Sequence, residues 1–164
     1  MPDTSYEAFE MFVKILYSEP VNLDTTSFSL LDQLYNLAEK YLVFEMQASI
    51  MVAVEVNAHN YLADVQDIVV LFHVTSENPV KEALTEVVIQ FLDRSANYEE
   101  EDIPFLATAF YSGLYSEEVK EAMERGVGEF IFENREHDSF RILSRVPQSE
   151  DNSKFMHMLI QKYY

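Results

Sequence analysis

The 164-residue chain has no cysteine, no tryptophan and only three glycines. Without cysteine there is no disulfide, no catalytic thiol and no zinc site built on thiolates. Three glycines are too few for a glycine-rich phosphate loop, and no GxSxG nucleophile motif occurs. No run approaches the roughly 18 uncharged apolar residues that a membrane span requires. Because the first 30 residues also show no leader-peptide pattern, we expect an intracellular protein, cytoplasmic or nuclear.

Positive charge is also scarce. Eleven Lys and Arg residues stand against 29 Asp and Glu, which gives a formal net charge of −18. The whole excess lies in residues 1–132, whereas residues 133–164 are neutral. This charge repels nucleic acid and anionic membranes, so neither is an expected partner. It suits attraction to a basic surface of another protein, and such binding is expected to weaken with added salt.

Residues suited to catalysis or metal binding form no local pattern. The four histidines are scattered, and no two lie within five positions of each other. No catalytic, cofactor-binding or metal-binding residue is therefore predicted, and the chain is expected not to be an enzyme. The alternative is a small acidic helical enzyme or ligand-binding protein, whose site would combine distant carboxylates with His59 or His73.

Apolar residues make up 48% of the chain, enough to build a core. They recur mostly at helical spacing, and cap signals precede several of these runs. The cap candidates are Thr4 with Glu7, Thr26 or Ser27, Asn78–Pro79, Asp102 and Ser116. The segment Val21–Leu23, which follows Pro20, is the single candidate strand. The pattern predicts a mainly α helical bundle with at most one short edge strand.

Apolar side chains of the first two helices and the corner that follows are expected to be buried. Phe9, Phe12 and Leu16 are predicted to face the core, and Phe44 to pack at the corner. The uncharged run Met46–Val54 predicts a deeply buried helix.

Composition also suggests how the chain is divided. Residues 133–153 are mostly polar and precede a short amphipathic piece that begins at Phe155. The predicted parts are residues 1–95, further helices over 96–132, and a polar linker with a short amphipathic tail over 133–164.

Several runs resemble a known family. Tyr6–Glu19 (YEAFEMFVKILYSE) resembles the "AF…L.Y.Y(T/S)G" helix of the BTB/POZ domain, with Glu in place of the usual Gly. Pro20–Leu23 is similar to the short strand that follows it. Leu30–Val43 (LLDQLYNLAEKYLV) resembles the "LL.L..LA.KY.V" helix, and Phe44–Gln47 the start of the next one. Val74–Leu84 is similar to the helical continuation in short fungal BTB proteins.

The resemblance covers the C-terminal helical half of the domain, within residues 1–95, while the N-terminal half is missing. It implies a protein-interaction module that forms homo-oligomers or serves as an adaptor of a cullin ubiquitin ligase. By position, the partner-binding residues would be Met11, Lys14 and Tyr17. Because the missing half carries most of the sheet and the usual dimer interface, a truncated remnant that competes with full-length relatives is a further alternative.

Overall fold

The computed structural model describes residues 4–71, 77–134 and 149–163. These residues contain helices and no strand, which confirms the mainly α fold class. None of the helices in these ranges combines the length and the apolar character that crossing a bilayer demands. The helices are α1 Tyr6–Leu16, α2 Phe28–Lys40, α3 Phe44–Tyr61, α4 Ile68–Leu71, α5 Pro79–Leu92, α6 Asp102–Tyr111, α7 Glu117–Glu133 and α8 Glu150–Tyr163, with 3₁₀ turns at Val65–Asp67 and Ser95–Asn97.

Contacts within the chain group it into two compact units. The first unit comprises Met1–Leu62 and Asp67–Val87, and the second comprises Ala63–Gln66 and Val88–Tyr164. Helix α5 therefore contributes its first part to one unit and its last part to the other. The division into 1–95, 96–132 and 133–164 follows composition instead, and it stays a prediction.

In the first unit, α2 is the central helix. It contacts both α1 and α3, and it buries Leu31, Leu34 and Ala38 completely. The Ser27 hydroxyl accepts the amide of Leu30 at 3.4 Å, as the predicted cap requires. Burying a leucine of this kind stabilises the folded state by about 1.5–3 kcal/mol. The packing of α2 thus holds α1 and α3 on either side of it.

A polar contact joins α2 to the start of α5. Asn78 caps α5 as predicted, since its Oδ1 accepts the amide of Val80 at 3.0 Å. Its Nδ2 donates to Asp32 Oδ1 at 2.6 Å and to Asn36 Oδ1 at 3.0 Å. Asp32 and Asn78 are both buried, so these hydrogen bonds offset the cost of desolvating them.

The loop before α2 is not a strand. Residues 21–23 have no regular secondary structure and pair with no strand among the described residues. The amide of Asn57, in α3, donates instead to the carbonyls of Leu23 (3.0 Å) and Thr26 (3.3 Å). The absence of a strand at 21–23 agrees with the prediction of at most one short edge strand, whereas the strand that the BTB resemblance implies at this place is not present.

The cap of α1 also differs from the prediction by one residue. Ser5, not Thr4, accepts the amide of Ala8, at 3.2 Å. The backbone amide of Ser5 in turn donates to Gln33 Oε1 at 2.7 Å, which links the start of α1 to α2.

In the second unit, Gly126 of α7 permits a close approach of Leu92, the last residue of α5, and of the Tyr98 side chain. A Cβ at this position would collide with the carbonyl oxygen of Leu92 and would lie 2.6 Å from Cε2 of Tyr98. The Tyr98 hydroxyl donates to the same carbonyl. Glycine lowers helix stability by about 1 kcal/mol relative to alanine, yet α7 runs unbroken from Glu117 to Glu133.

The amphipathic piece near the C terminus is helix α8 of this unit. Phe155 is completely buried, and its ring lies 5.2 Å from that of Phe110 in α6. Lys162 forms an ion pair of 2.6 Å with Glu124, a buried residue of α7. The polar residues 135–148, which were predicted to be a linker, lie outside the described residues.

Asp102 is a second buried carboxylate of this unit, besides Glu124. Asp102 begins α6, and its Oδ2 accepts the amide of Glu99 at 2.8 Å. It therefore does not cap α6 but closes the turn in front of it. Burial raises the pKa of Asp102 above its usual value, and the nearby carboxylates of Asp64, Glu99 and Glu101 add to the shift.

We expect Gly126→Ala to lower the free energy of unfolding by about 1–3 kcal/mol, because the new methyl group would displace Leu92 or Tyr98. Urea denaturation of the purified chain measures this. Glu129→Ala, at an exposed position of the same helix, is the matched control and should change stability little. A Gly126→Ala protein as stable as the control would contradict the close approach.

Candidate functional site

The three residues that the resemblance points to lie along one side of α1 and at its end. They are three positions apart, a spacing that keeps them on neighbouring turns. Met11 is half-buried, the Lys14 side chain is 44% exposed, and Tyr17 is 78% exposed. Tyr17 is the C-cap residue of α1 and is open to solvent rather than packed. The structure thus makes Tyr17, of these three, the most accessible to a partner.

Lys14 is held by its own helix. Its ammonium group lies 2.8 Å from Glu10 Oε1, one turn earlier. The hydrogen bond that Lys14 donates to Glu10, followed by the negative charge of Glu10, raises the pKa of Lys14. The positive charge of Lys14 is thus paired with Glu10 of the same helix, which leaves Lys14 less suited to attract an acidic partner.

Two of the residues predicted for the core of α1 are exposed instead. Phe12 is buried as predicted, but Phe9 and Leu16 are each about half exposed. The buried side of the helix is centred on Ala8 and Phe12, four positions apart, and Phe9 and Leu16 lie beside it. The prediction was wrong for Phe9 and Leu16 because it assumed that a wider band of apolar residues faces the core than the band that contacts α2.

Helix α3 is also more exposed than predicted. Phe44 is 68% exposed and Val52 is 62% exposed, so neither the packed corner nor the deep burial of the whole run was right. The buried side of α3 carries Met46, Ile50, Ala53 and Val54. Within the run Met46–Val54 the exposed residues are Ala48, Ser49 and Val52, which carry no charge, so the sequence of the run did not mark an exposed side.

The ends of α1 and α2 are closed by the same hydrogen-bonded turn, the Schellman motif. After α1, the amide of Glu19 donates to the carbonyl of Lys14 (2.9 Å) and that of Ser18 to Ile15 (3.0 Å). After α2, the amide of Val43 reaches Ala38 (2.8 Å), and that of Leu42 reaches Glu39 (3.1 Å). These bonds satisfy helix carbonyls that would otherwise lack a partner.

This turn needs one residue in the left-handed region, where glycine is usual. Here the residues are Ser18, with φ 57°, and Leu42, with φ 58°. A side chain in this conformation costs roughly 1–2 kcal/mol. Leu42 is in addition 70% exposed, so burial of its side chain does not offset the strain.

An open groove lies between the end of α1, the loop that follows it and the start of α3. We call it the α1–α3 groove; its volume is about 440 Å³. Its polar lining comprises Ser18, Ser49 and two carboxylates, Glu19 and Glu45. Its apolar lining consists of Ile15, Leu16, Val21, Leu23, Val43 and Met46.

Three large exposed side chains belong to residues that directly precede or follow lining residues in the sequence. Tyr17 follows the lining residue Leu16, and Leu42 and Phe44 flank the lining residue Val43. We call Tyr17, Leu42 and Phe44 the apolar rim. The sequence alone did not indicate Leu42, because neither glycine nor asparagine marked the left-handed position.

The described residues show no cluster suited to hold a metal ion. No group of three or more His, Asp and Glu side chains within them is placed to hold a metal ion. His59 is exposed on α3. His73, the other histidine of the alternative carboxylate–histidine site, lies outside the described residues.

Comparison with known proteins yields no relative: no family model, no curated protein and no solved structure matches the chain. The BTB/POZ resemblance therefore stays a prediction.

We expect Leu42→Gly to raise the free energy of unfolding by about 0.5–1 kcal/mol, because it relieves a left-handed leucine that buries little surface. Ser18→Gly is the matched variant, with the same backbone conformation and no large side chain, and should give a similar gain. Chemical denaturation measures both. A loss of stability in either variant would mean that its side chain contributes packing that outweighs the strain.

Proposed function

We propose that this chain is a non-enzymatic protein–protein interaction module, and that the α1–α3 groove and its apolar rim are its contact surface. The observation that carries the proposal is Leu42. A leucine that is strained and 70% exposed gains little from burial in the folded state, and contact with a partner would cover the exposed side chain.

The surroundings of Leu42 support the same function. Tyr17 and Phe44 are 78% and 68% exposed, and aromatic side chains of this kind often dominate the binding energy of an interface. The groove beside them offers depth for a partner's apolar side chain. Together the rim and the groove combine apolar and aromatic side chains with two carboxylates, a composition that is common in interfaces.

The resemblance refines the proposal to a BTB-type module that self-associates or contacts a cullin. In that form Met11 and Lys14 extend the contact surface along α1, next to Tyr17. The refinement depends on the sequence runs quoted above, whereas the general proposal depends on the exposed rim. The two can therefore be tested separately.

Affinity capture with three forms of the full chain tests the proposal: the natural chain, Leu42→Gly and Ser18→Gly. Partners that bind the rim should be recovered by the natural chain and by Ser18→Gly, and at least about tenfold less by Leu42→Gly, a typical loss for a residue at the centre of an interface. Quantitative mass spectrometry of proteins captured from cells that make the chain, repeated with each purified partner, measures this.

A cullin among the proteins lost on Leu42→Gly would support the adaptor form, and a second copy of the chain would support the self-associating form. Because Ser18→Gly shares the backbone change, it separates the loss of the leucine side chain from altered stability. Equal recovery of every partner by Leu42→Gly and Ser18→Gly would overturn the assignment of the rim.

A further inference from the structure

The charged residues that line the α1–α3 groove are both acidic. Glu19 and Glu45 are its charged lining residues, and neither forms an ion pair with a described residue. The groove lining contains no Lys or Arg. A carboxylate at the edge of an apolar surface favours a cation on the partner that covers that surface.

None of the three lysines of the first unit forms an ion pair with Glu19 or Glu45, although the charge of Glu19 contributes, after Glu10, to raising the pKa of Lys14. Lys14 is paired with Glu10 and Lys81 with Glu77, while Lys40 lies 5.6 Å from the centre of the Tyr41 ring. The first unit contains 13 acidic and 3 basic residues. The potential at the groove is therefore negative, and it attracts basic segments over a distance of about one Debye length, ~8–10 Å.

The same charge disfavours a second copy of this chain as the occupant. Each copy has a formal charge of −18, and a symmetric contact would bring Glu19 and Glu45 of both copies to one interface. Like charges across an interface cost binding energy unless cations separate them. A partner with clustered Lys or Arg meets no such cost.

The lining of the groove also favours a partner segment that carries apolar side chains. Six of its ten lining residues are aliphatic or methionine, and the exposed side of α3 continues this surface through Val52 and Val56, which are 62% and 43% exposed. A purely cationic segment would leave this surface in water, whereas an amphipathic one covers it and places its charged side toward the carboxylates.

We infer that the α1–α3 groove binds a basic amphipathic segment of a partner protein. Its apolar side chains occupy the groove, and its Lys or Arg side chains pair with Glu19 and Glu45. This rests on the proposed function and names the chemistry of the partner.

A methyl-labelled sample of the full chain, titrated with synthetic peptides, tests the inference. The probe is a peptide of roughly 15 residues, about four helical turns, with Leu at helical spacing on one side and Lys on the other. Two matched peptides replace Lys by Glu or Leu by Ser. We expect the first peptide to shift the methyl signals of Ile15, Val43 and Met46 and to bind at least tenfold more tightly than either matched peptide.

Charge variants distinguish binding in the groove from nonspecific attraction of a basic peptide to an acidic protein. Glu19→Gln with Glu45→Gln should weaken binding of the Leu/Lys peptide about fivefold, as expected for two exposed ion pairs. Glu118→Gln with Glu129→Gln makes the same change of charge at exposed positions of α7 and should leave the affinity within about twofold. Equal weakening by the two double variants, or shifts confined to other methyl groups, would overturn the inference.

Sedimentation and native mass spectrometry would reveal other occupants of the α1–α3 groove. If sedimentation showed a dimer that Leu42→Gly abolishes, the occupant of the groove would be a second copy of the chain rather than a basic segment. If native mass spectrometry showed a retained apolar small molecule, the occupant would be that ligand. Partners captured through Leu42 that prove acidic or uncharged at the contact would overturn the inference and leave the proposed function standing. Loss of both peptide binding and Leu42-dependent capture would overturn the two together.

Discussion

The first unit depends on how α1 and α2 end. In each case an amide two residues beyond the C-cap donates back into the last turn, from Glu19 to Lys14 and from Val43 to Ala38. This bond reverses the chain within a few residues and satisfies a carbonyl that the helix leaves open. It also requires a left-handed residue, which here is Ser18 or Leu42 rather than glycine. The groove exists because both reversals occur next to the start of α3.

Packing within the same unit opposes the strain of these turns. The ring of Tyr41, the C-cap residue of α2, lies 5.4 Å from that of Phe12 on the buried side of α1. This contact connects the end of α2 to α1, while Asn57 holds the loop between them through two carbonyls. The buried leucines of α2 supply the larger part of the stability. The chain can therefore keep an exposed leucine in an unfavourable conformation, as is common where function and stability compete.

Much of the fold could be predicted from the sequence, because helical spacing and caps are local signals. Ser27, Asn78 and Ser116 cap helices as predicted, and each side chain accepts a backbone amide of the first turn. The candidate site was harder to predict. Phe9, Leu16 and Phe44 were assigned to the core because apolar spacing does not reveal which side of a helix meets a neighbour. Leu42 was missed because a left-handed position without glycine has no signature in the sequence.

The most direct test of this account is native-state hydrogen exchange at the amides of Glu19 and Val43. If the two turns are part of the stable first unit, both amides should exchange at least about a hundredfold more slowly than in an unstructured peptide, since their bonds must open first. The neighbouring amide of Asp24, which bonds to the Asn22 side chain in an exposed loop, serves as an internal reference and should exchange faster. Exchange of Glu19 and Val43 at the rate of Asp24 would contradict the account, because the left-handed turns would then not hold the groove in shape.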